Sequence, residues 1–452
     1  MPNNFAYIAL ILWPFISLLF FYRHMPIVQA TFWTIVGGFL LLPVKTAIDF
    51  PFIPPLDKES IPVIAALIGC RYIKKVKIRL LPSSGLERWF ILALLVTPFI
   101  TMLNNQESYN YIHGLTLHDT ISSIIGQYIK VLPLILGMQL IKTYEDQLIL
   151  FKLLVVACLF YSLLILFEIR MSPQLHTWIY GFFPHNFGQQ MRFGGFRSVA
   201  FLGHGLIVAM FVAVALGAAT ILLKEKIRIM RVSPWAIIIY FFVVLFLCKT
   251  VGAFLLGTLL FLTIAWTPVY IVKRLSLFFI FIVILYPFLS IVDIFPHQQL
   301  TQMATNFDPG RGESLAFRFY HESLLLEHAK QKLFFGWGGW GRNRLEESVT
   351  DGYWIILLGQ YGLFGFVSIF GLAVLSIWRA VKTSSLLSNK NQQKAIIYHA
   401  LLVSVIMIDQ LPNASLAAWL FFLIGALLAR VNHIKLENRG IQDRSSANYI
   451  QS

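Results

Sequence analysis

Apolar runs of about twenty residues recur from one end of this chain to the other, and few folds can accommodate them. A helix needs about 20 consecutive apolar residues to cross the hydrocarbon core of a bilayer. A segment in that core must also satisfy its own backbone hydrogen bonds. The runs fall at 6–22, 28–45, 60–73, 87–103, 119–141, 148–169, 204–223, 235–249, 251–267, 275–295, 353–378, 396–410 and 414–431. Their boundaries allow a total of about 12–14 transmembrane helices. The short alternating strands of a β-barrel are not what these runs look like. The expectation is therefore an all-α polytopic membrane protein, residues 1–452 forming a single integral membrane domain. Composition agrees: 13% of residues are charged, against about 25% in soluble domains, and the mean hydropathy is +0.72.

The net charge of +15 would suggest nucleic acid in a soluble chain. Here the cations gather between spans, at Arg71–Arg79, Lys224–Arg231, Lys273 and Arg274, Arg379–Lys394, and from Arg430 into the tail. If the spans alternate, all five clusters fall on one side. That side is cytoplasmic by the excess of Lys and Arg in cytoplasmic loops. No nucleic-acid partner is expected. The loops near 46–59, 104–118, 171–203, 296–352 and 410–413 are then extracytoplasmic, and thirteen spans put the N-terminus on that side too. The 104–118 loop has no Lys or Arg and reads as a tolerant surface loop. Residues 432–452 form a cytoplasmic tail, polar and without structure after Arg439. Cys70, Cys158 and Cys248 have neither metal-site spacing nor a disulfide pattern. The first span lacks the basic flank and cleavage site of a signal peptide.

The longest polar stretch, 296–352, reads as a partly helical lid over an outer-face site. Its sequence SLAFRFYHESLLLEHAKQ is an amphipathic helix in which Arg318, His321 and Glu322 share a face at i, i+3 and i+4. LFFGWGGWGRN follows, with four glycines in six residues, allowing close backbone approach. Its Trp337 and Trp340 can stack on sugar rings or sit in the membrane interface. Asp351 stands just before the next span, as either a general base or a helix cap. Arg311 lies earlier in the same stretch.

The 171–203 loop contributes Arg192 and Arg197. A guanidinium there suits a phosphate, because its planar fork makes paired, charge-assisted hydrogen bonds. Lys249 interrupts an apolar run, either at a hairpin tip or facing a cavity. Asp409 reads as a turn residue beside Pro412. No cluster has metal-ligand spacing, so no metal or cofactor is expected. Unequal outer loops and the lack of an internal repeat weigh against an inverted-repeat transporter.

The order of these features resembles the O-antigen ligase and Wzy-type polymerase superfamily of bacterial glycosyltransferases. The resemblance rests on Arg318 at the head of a helix, Leu333–Gly338, a polar residue at 351, Gly362–Gly365, the segment FRSVAFLGHG and the turn CKTVGAFL. It implies a GT-C-like helical bundle in the bacterial inner membrane with its active face periplasmic. It also implies metal-independent transfer of a glycan from undecaprenyl pyrophosphate to a hydroxyl of an acceptor glycan. Arg197, Lys249 and Arg318, with Arg311 and Arg192 in reserve, would bind the pyrophosphate. Asp351, or else His321, would take the acceptor proton, and Trp337 and Trp340 would contact glycan. The partners implied are the lipid-linked donor, the acceptor glycan, membrane lipids and other polysaccharide-assembly proteins. Where the family carries a His-Asn pair, this chain reads Asp351-Gly352, which favours a polymerase over a ligase. The alternatives are a lipid-linked glycan flippase or transporter, and a non-catalytic assembly subunit.

Overall fold

The computed structural model describes residues 1–50, 53–192, 194–346 and 348–450, the last twelve by backbone alone. Seventeen α-helices follow in order. They are α1 (Asn4–Ile16), continuing through a π-turn into α2 (Tyr22–His24), α3 (Ile27–Leu41), α4 (Ser60–Ile68), α5 (Leu86–Leu103), α6 (Leu117–Leu140), α7 (Tyr144–Met171), α8 (Leu175–Tyr180), α9 (Gly205–Lys224), α10 (Pro234–Leu247), α11 (Val251–Trp266), α12 (Val269–Ile291), α13 (His297–Phe307), α14 (Pro309–Lys330), α15 (Tyr353–Thr383), α16 (Lys390–Asp409) and α17 (Ala418–Ile450). Two short hairpins complete the fold, Ala47–Ile48 with Leu56–Asp57 and Met191–Arg192 with Gly195–Phe196. This is an all-α, multi-pass membrane architecture.

Eight helices among the described residues are long and apolar enough to cross a membrane: Asn4–His24, α5, α6, α7, α9, α12, α15 and α17. The sequence reading of 12–14 spans counted further runs. Four of these, α3, α10, α11 and Ser60–Ile73, are apolar helices of only 10–17 residues. At 1.5 Å per residue they rise about 15–26 Å, short of a core about 30 Å thick. α16 is long enough, but Lys390 and Lys394 make its first turns polar. The centre of the bundle is α9, whose residues from Val208 to Leu222 are all buried. The polar tail beyond Arg439 has no described side chains, and α17 carries its backbone on to Ile450.

The bundle has two chemically different ends. At one, Arg379 pairs with the buried Glu87 at 2.7 Å, Arg430 donates to the Lys142 carbonyl at 2.5 Å, and Tyr144 bonds Glu225 at 2.5 Å. Four of the five basic clusters adjoin these contacts, so the lysines and arginines do collect at one end. The other end is made of the long connections. Asn3 N–H and its Nδ2 donate to the carbonyls of Tyr180 and Ile179, both at 2.9 Å. The N-terminus therefore lies at the same end as the 171–203 loop.

The glycine-rich segment is built into this loop end by a break in α15. Gly362 sits at φ 63°, ψ −162° inside that helix. There the chain opens and pairs with residues 333–338: Leu363 N–H donates to the Leu333 carbonyl at 2.8 Å, Trp337 N–H to Gly359 at 2.8 Å, and Gly338 N–H to Gln360 at 2.9 Å. A β-carbon on Gly362 would lie 2.2 Å from the Phe334 carbonyl carbon. The Gly362→Ala variant is expected to lose about 1–3 kcal/mol from backbone strain alone. A thermal unfolding midpoint in detergent equal to the parent's would refute this.

Candidate functional site

Three cavities adjoin one another at the loop end. The first, about 210 Å³, is mostly apolar, with Leu315, Phe319, Leu325, Ile355 and Leu411 around Arg318, Glu322 and Asp351. The second, about 430 Å³, is polar and is lined by His185, His204, Arg344, Asp351 and Asn413. The third, about 670 Å³, lies between α3, α4, α6 and α15 and carries Lys45, Lys58 and Lys130 together with the carboxylates Asp57 and Glu59. Asp351 belongs to the walls of the first and second, and Ile207, Ala414 and Ser415 to those of the second and third. A shallower recess of about 240 Å³ at Trp340 shares Gly126 with the third.

Arg318 and Asp351 meet in the wall of the first cavity, Nε to Oδ2 at 3.5 Å. Arg318 Nη1 also donates to the Pro412 carbonyl at 3.5 Å. The helix that presents the arginine is nucleated by Asp308, whose Oδ1 accepts from the amides of Gly310 and Arg311, with Pro309 in the first turn as such positions favour. The cap alternative for Asp351 is excluded: Gly352 is the N-cap of α15 and makes no side-chain cap bond. The carboxylate is free of backbone duty and faces the cavities, its side chain 40% exposed.

The 171–203 loop brings a second group of cations to the same end, although Arg192, Arg197 and Lys249 line none of the cavities described. It is held by Glu168, fully buried at the end of α7, which accepts from the amides of Leu175, Val199 and Ala200 at 3.0, 2.8 and 2.6 Å and from the Ser198 hydroxyl at 3.0 Å. Those bonds fix the residues next to Arg197. Arg197 Nη2 donates to the Lys249 carbonyl at 3.4 Å, and Lys249 Nζ donates to the Arg192 carbonyl at 3.0 Å. Lys249 is thus a hairpin-tip residue, its amine locking the α10–α11 turn to the Met191–Phe196 hairpin. Burial, with repulsion from Arg192 and Arg318, pushes the Arg197 guanidinium down to about 10. The same surroundings push His204 down to about 4. Arg197 and His204 therefore both lie within the fields of Arg192 and Arg318.

Other expected site residues stand elsewhere. His321 is buried, its Nδ1 accepting from Val349 N–H at 3.4 Å, and lines none of the cavities described. Arg311 is exposed, pairs with Asp308 at 3.6 Å and lies over Phe307. Trp337 is only 6% exposed. Its indole stacks on His328 with centroids 4.4 Å apart, packs on Tyr109, carries Lys332 over its ring and donates to the His328 carbonyl at 2.7 Å. Neither face remains for a sugar, which leaves stacking to Trp340, 53% exposed. The 104–118 loop supplies part of this packing. Asn105 donates to the Gly336 carbonyl at 3.0 Å and Arg342 to the His113 carbonyl at 2.9 Å, so the loop clasps the glycine-rich turn.

Three cavity cations were not singled out from sequence: Lys45, Lys58 and Lys130. Lys58 is 6% exposed, donates to the Phe201 carbonyl at 2.8 Å, and is lowered by burial to about 8. Lys130 lies over the Tyr353 ring, 4.8 Å from its centroid. A charge inside a span of this kind usually faces a cavity and marks function. Among the described residues no group of three or more His, Cys, Asp or Glu could hold a metal.

His176 is expected to make the loop end acid-sensitive. Its Nδ1–H donates to the Phe182 carbonyl at 2.8 Å, its Nε2 is buried without a partner among the described residues, and burial lowers it to about 4. The unfolded chain, with His near 6.5, binds the proton more readily. The stability this contributes is thus present above pH 6.5 and lost as pH falls to 4, about 3 kcal/mol in full. His176→Gln should flatten that part of the pH–stability curve. A curve unchanged by the substitution would remove the assignment.

No protein-family model matches this chain, and no curated protein matches it.

Proposed function

We propose that this protein is a GT-C-like glycosyltransferase of the bacterial inner membrane, its basic end cytoplasmic and its loop end periplasmic. It transfers a glycan from a lipid pyrophosphate to an acceptor glycan hydroxyl. The observation that carries the reading is the Arg318–Asp351 pair, with Asp351 on the wall shared by an apolar pocket and a second cavity that holds Arg344.

The reaction asks for that arrangement. The acceptor oxygen attacks the anomeric carbon, its proton passes to Asp351, and the carbon–oxygen bond to the pyrophosphate breaks with its electron pair going to the leaving group. Charge then grows on phosphate beside hydrocarbon, where prepositioned cations stabilise it most. Arg318 is placed to meet that charge and to hold the carboxylate. Arg344 lines the adjoining cavity, Arg197 adds its field from the loop beside Arg318, and Lys58 and Lys130 stand in the third cavity opposite Asp57 and Glu59. Lys249 positions the hairpin that carries Arg192, and the lipid tail leaves along the apolar pocket.

The test is reconstitution of the purified chain in liposomes with an undecaprenyl-pyrophosphate oligosaccharide and an acceptor glycan. A new glycosidic bond and released lipid pyrophosphate are the expected products. Donor moved across the bilayer with no new bond would instead identify a flippase and overturn the proposal.

A further inference from the structure

A cavity of about 750 Å³ lies at the opposite, basic end of the bundle, between the 76–87 segment, α6, α15 and α17. Its polar lining holds five cations, Lys77, Arg79, Lys142, Arg379 and Lys435, against one carboxylate, Glu87. That carboxylate is buried and already committed to Arg379, and among the described residues Lys77, Arg79 and Lys142 form no ion pair. The inner wall is apolar, with Ile135, Met138 and Leu436. The cavity is also rigidly built. Gln139 on α6 accepts from the Arg79 amide and donates to the Arg79 carbonyl, both at 2.8 Å, pinning the segment by its backbone and leaving the Arg79 side chain for a ligand.

We propose that this cavity seats the headgroup of an anionic glycerophospholipid from the leaflet around it. The cations meet the phosphate, and the apolar wall takes the start of the acyl chains. Basic pockets between membrane helices are suited to such headgroups. A zwitterionic headgroup would bring an ammonium against the cations, and a soluble anion would have no use for the apolar wall. The site is independent of the transfer reaction, lying at the other end of the molecule.

The test uses the full chain in detergent, titrated with phosphatidylglycerol, phosphatidylcholine or inorganic phosphate while native mass spectrometry and the thermal midpoint are followed. Each lysine or arginine near an anionic lipid surface contributes about fivefold in affinity, so K77Q/R79Q/K142Q should bind phosphatidylglycerol roughly 100-fold more weakly. The triple variant should fold normally, because the Arg79 latch is made by backbone groups. The control K273Q/R274Q/K390Q, outside the cavity, should bind as the parent does. Equal binding by parent and cavity variant, or equal binding of phosphatidylcholine, overturns the proposal. Saturable binding of inorganic phosphate that the cavity variant loses would assign a soluble-anion site and overturn it as well.

Discussion

Arg318→Ala is expected to lower glycan transfer in the reconstituted assay by about 100- to 1000-fold without unfolding the protein. The kinetic part follows from where the charge sits. A prepositioned donor aimed at charge that develops in the transition state contributes about 2.7–4 kcal/mol, and each 1.36 kcal/mol is tenfold in rate. The folding part follows from how loosely the side chain is held. Arg318 is about one-third exposed and makes one long hydrogen bond and one ion pair, both at 3.5 Å. Exposed pairs of that kind add about 0–1 kcal/mol to stability. Arg318→Lys keeps the charge but loses the planar fork, so its rate should fall between parent and alanine. Asp351→Asn keeps the shape and removes the base, so it should lose rate with little change in donor affinity. Parent-like turnover in both Arg318→Ala and Asp351→Asn, in protein with an unchanged thermal midpoint, would dismantle the site.

The sequence made some of this arrangement legible because some of its signals are local. A run of twenty apolar residues forms a helix wherever water is excluded, and α5, α6, α7, α9, α12, α15 and α17 each coincide with such a run. Arg318 stood out as the arginine of an amphipathic helix, and Asp351 as a carboxylate immediately before a long apolar run. What could not be read depends on partners far away in the chain. Lys58 is recruited by a carbonyl 143 residues on. Nothing around a lysine at a span boundary separates that from an anchoring role. Glu168 looks like an ordinary end-of-span carboxylate, and its partners lie as far as 32 residues ahead. Trp337 and Trp340 share a glycine-rich setting, yet one is core and the other surface. The difference is made by Tyr109 and Asn105 from a loop read as passive. The alternatives open for Asp351 were decided by one residue of register, since Gly352 takes the cap position.

Glu168→Ala should cost about 5 kcal/mol of stability and abolish transfer, although Glu168 touches none of the cavities. The carboxylate is fully buried and accepts four hydrogen bonds. Removing it leaves the amides of Leu175, Val199 and Ala200 to find other acceptors in a dry site, and each buried donor left unsatisfied costs about 1–3 kcal/mol. Partial relaxation and water entry keep the total below the sum. The loss is directional: these amides hold the turn that aims Arg197, so freeing them loosens the 181–200 loop before the helices separate. Limited proteolysis should cut within that loop in Glu168→Ala and spare the parent, and the thermal midpoint should fall. Glu168→Gln retains one acceptor oxygen but presents an amide NH₂ to amides that themselves donate, so it should fall between the two. Charge alone cannot be what matters if Gln restores the loop fully. If Glu168→Ala melts with the parent and its loop resists protease, the loop is held by something other than this carboxylate, and the placement of Arg197 needs another cause.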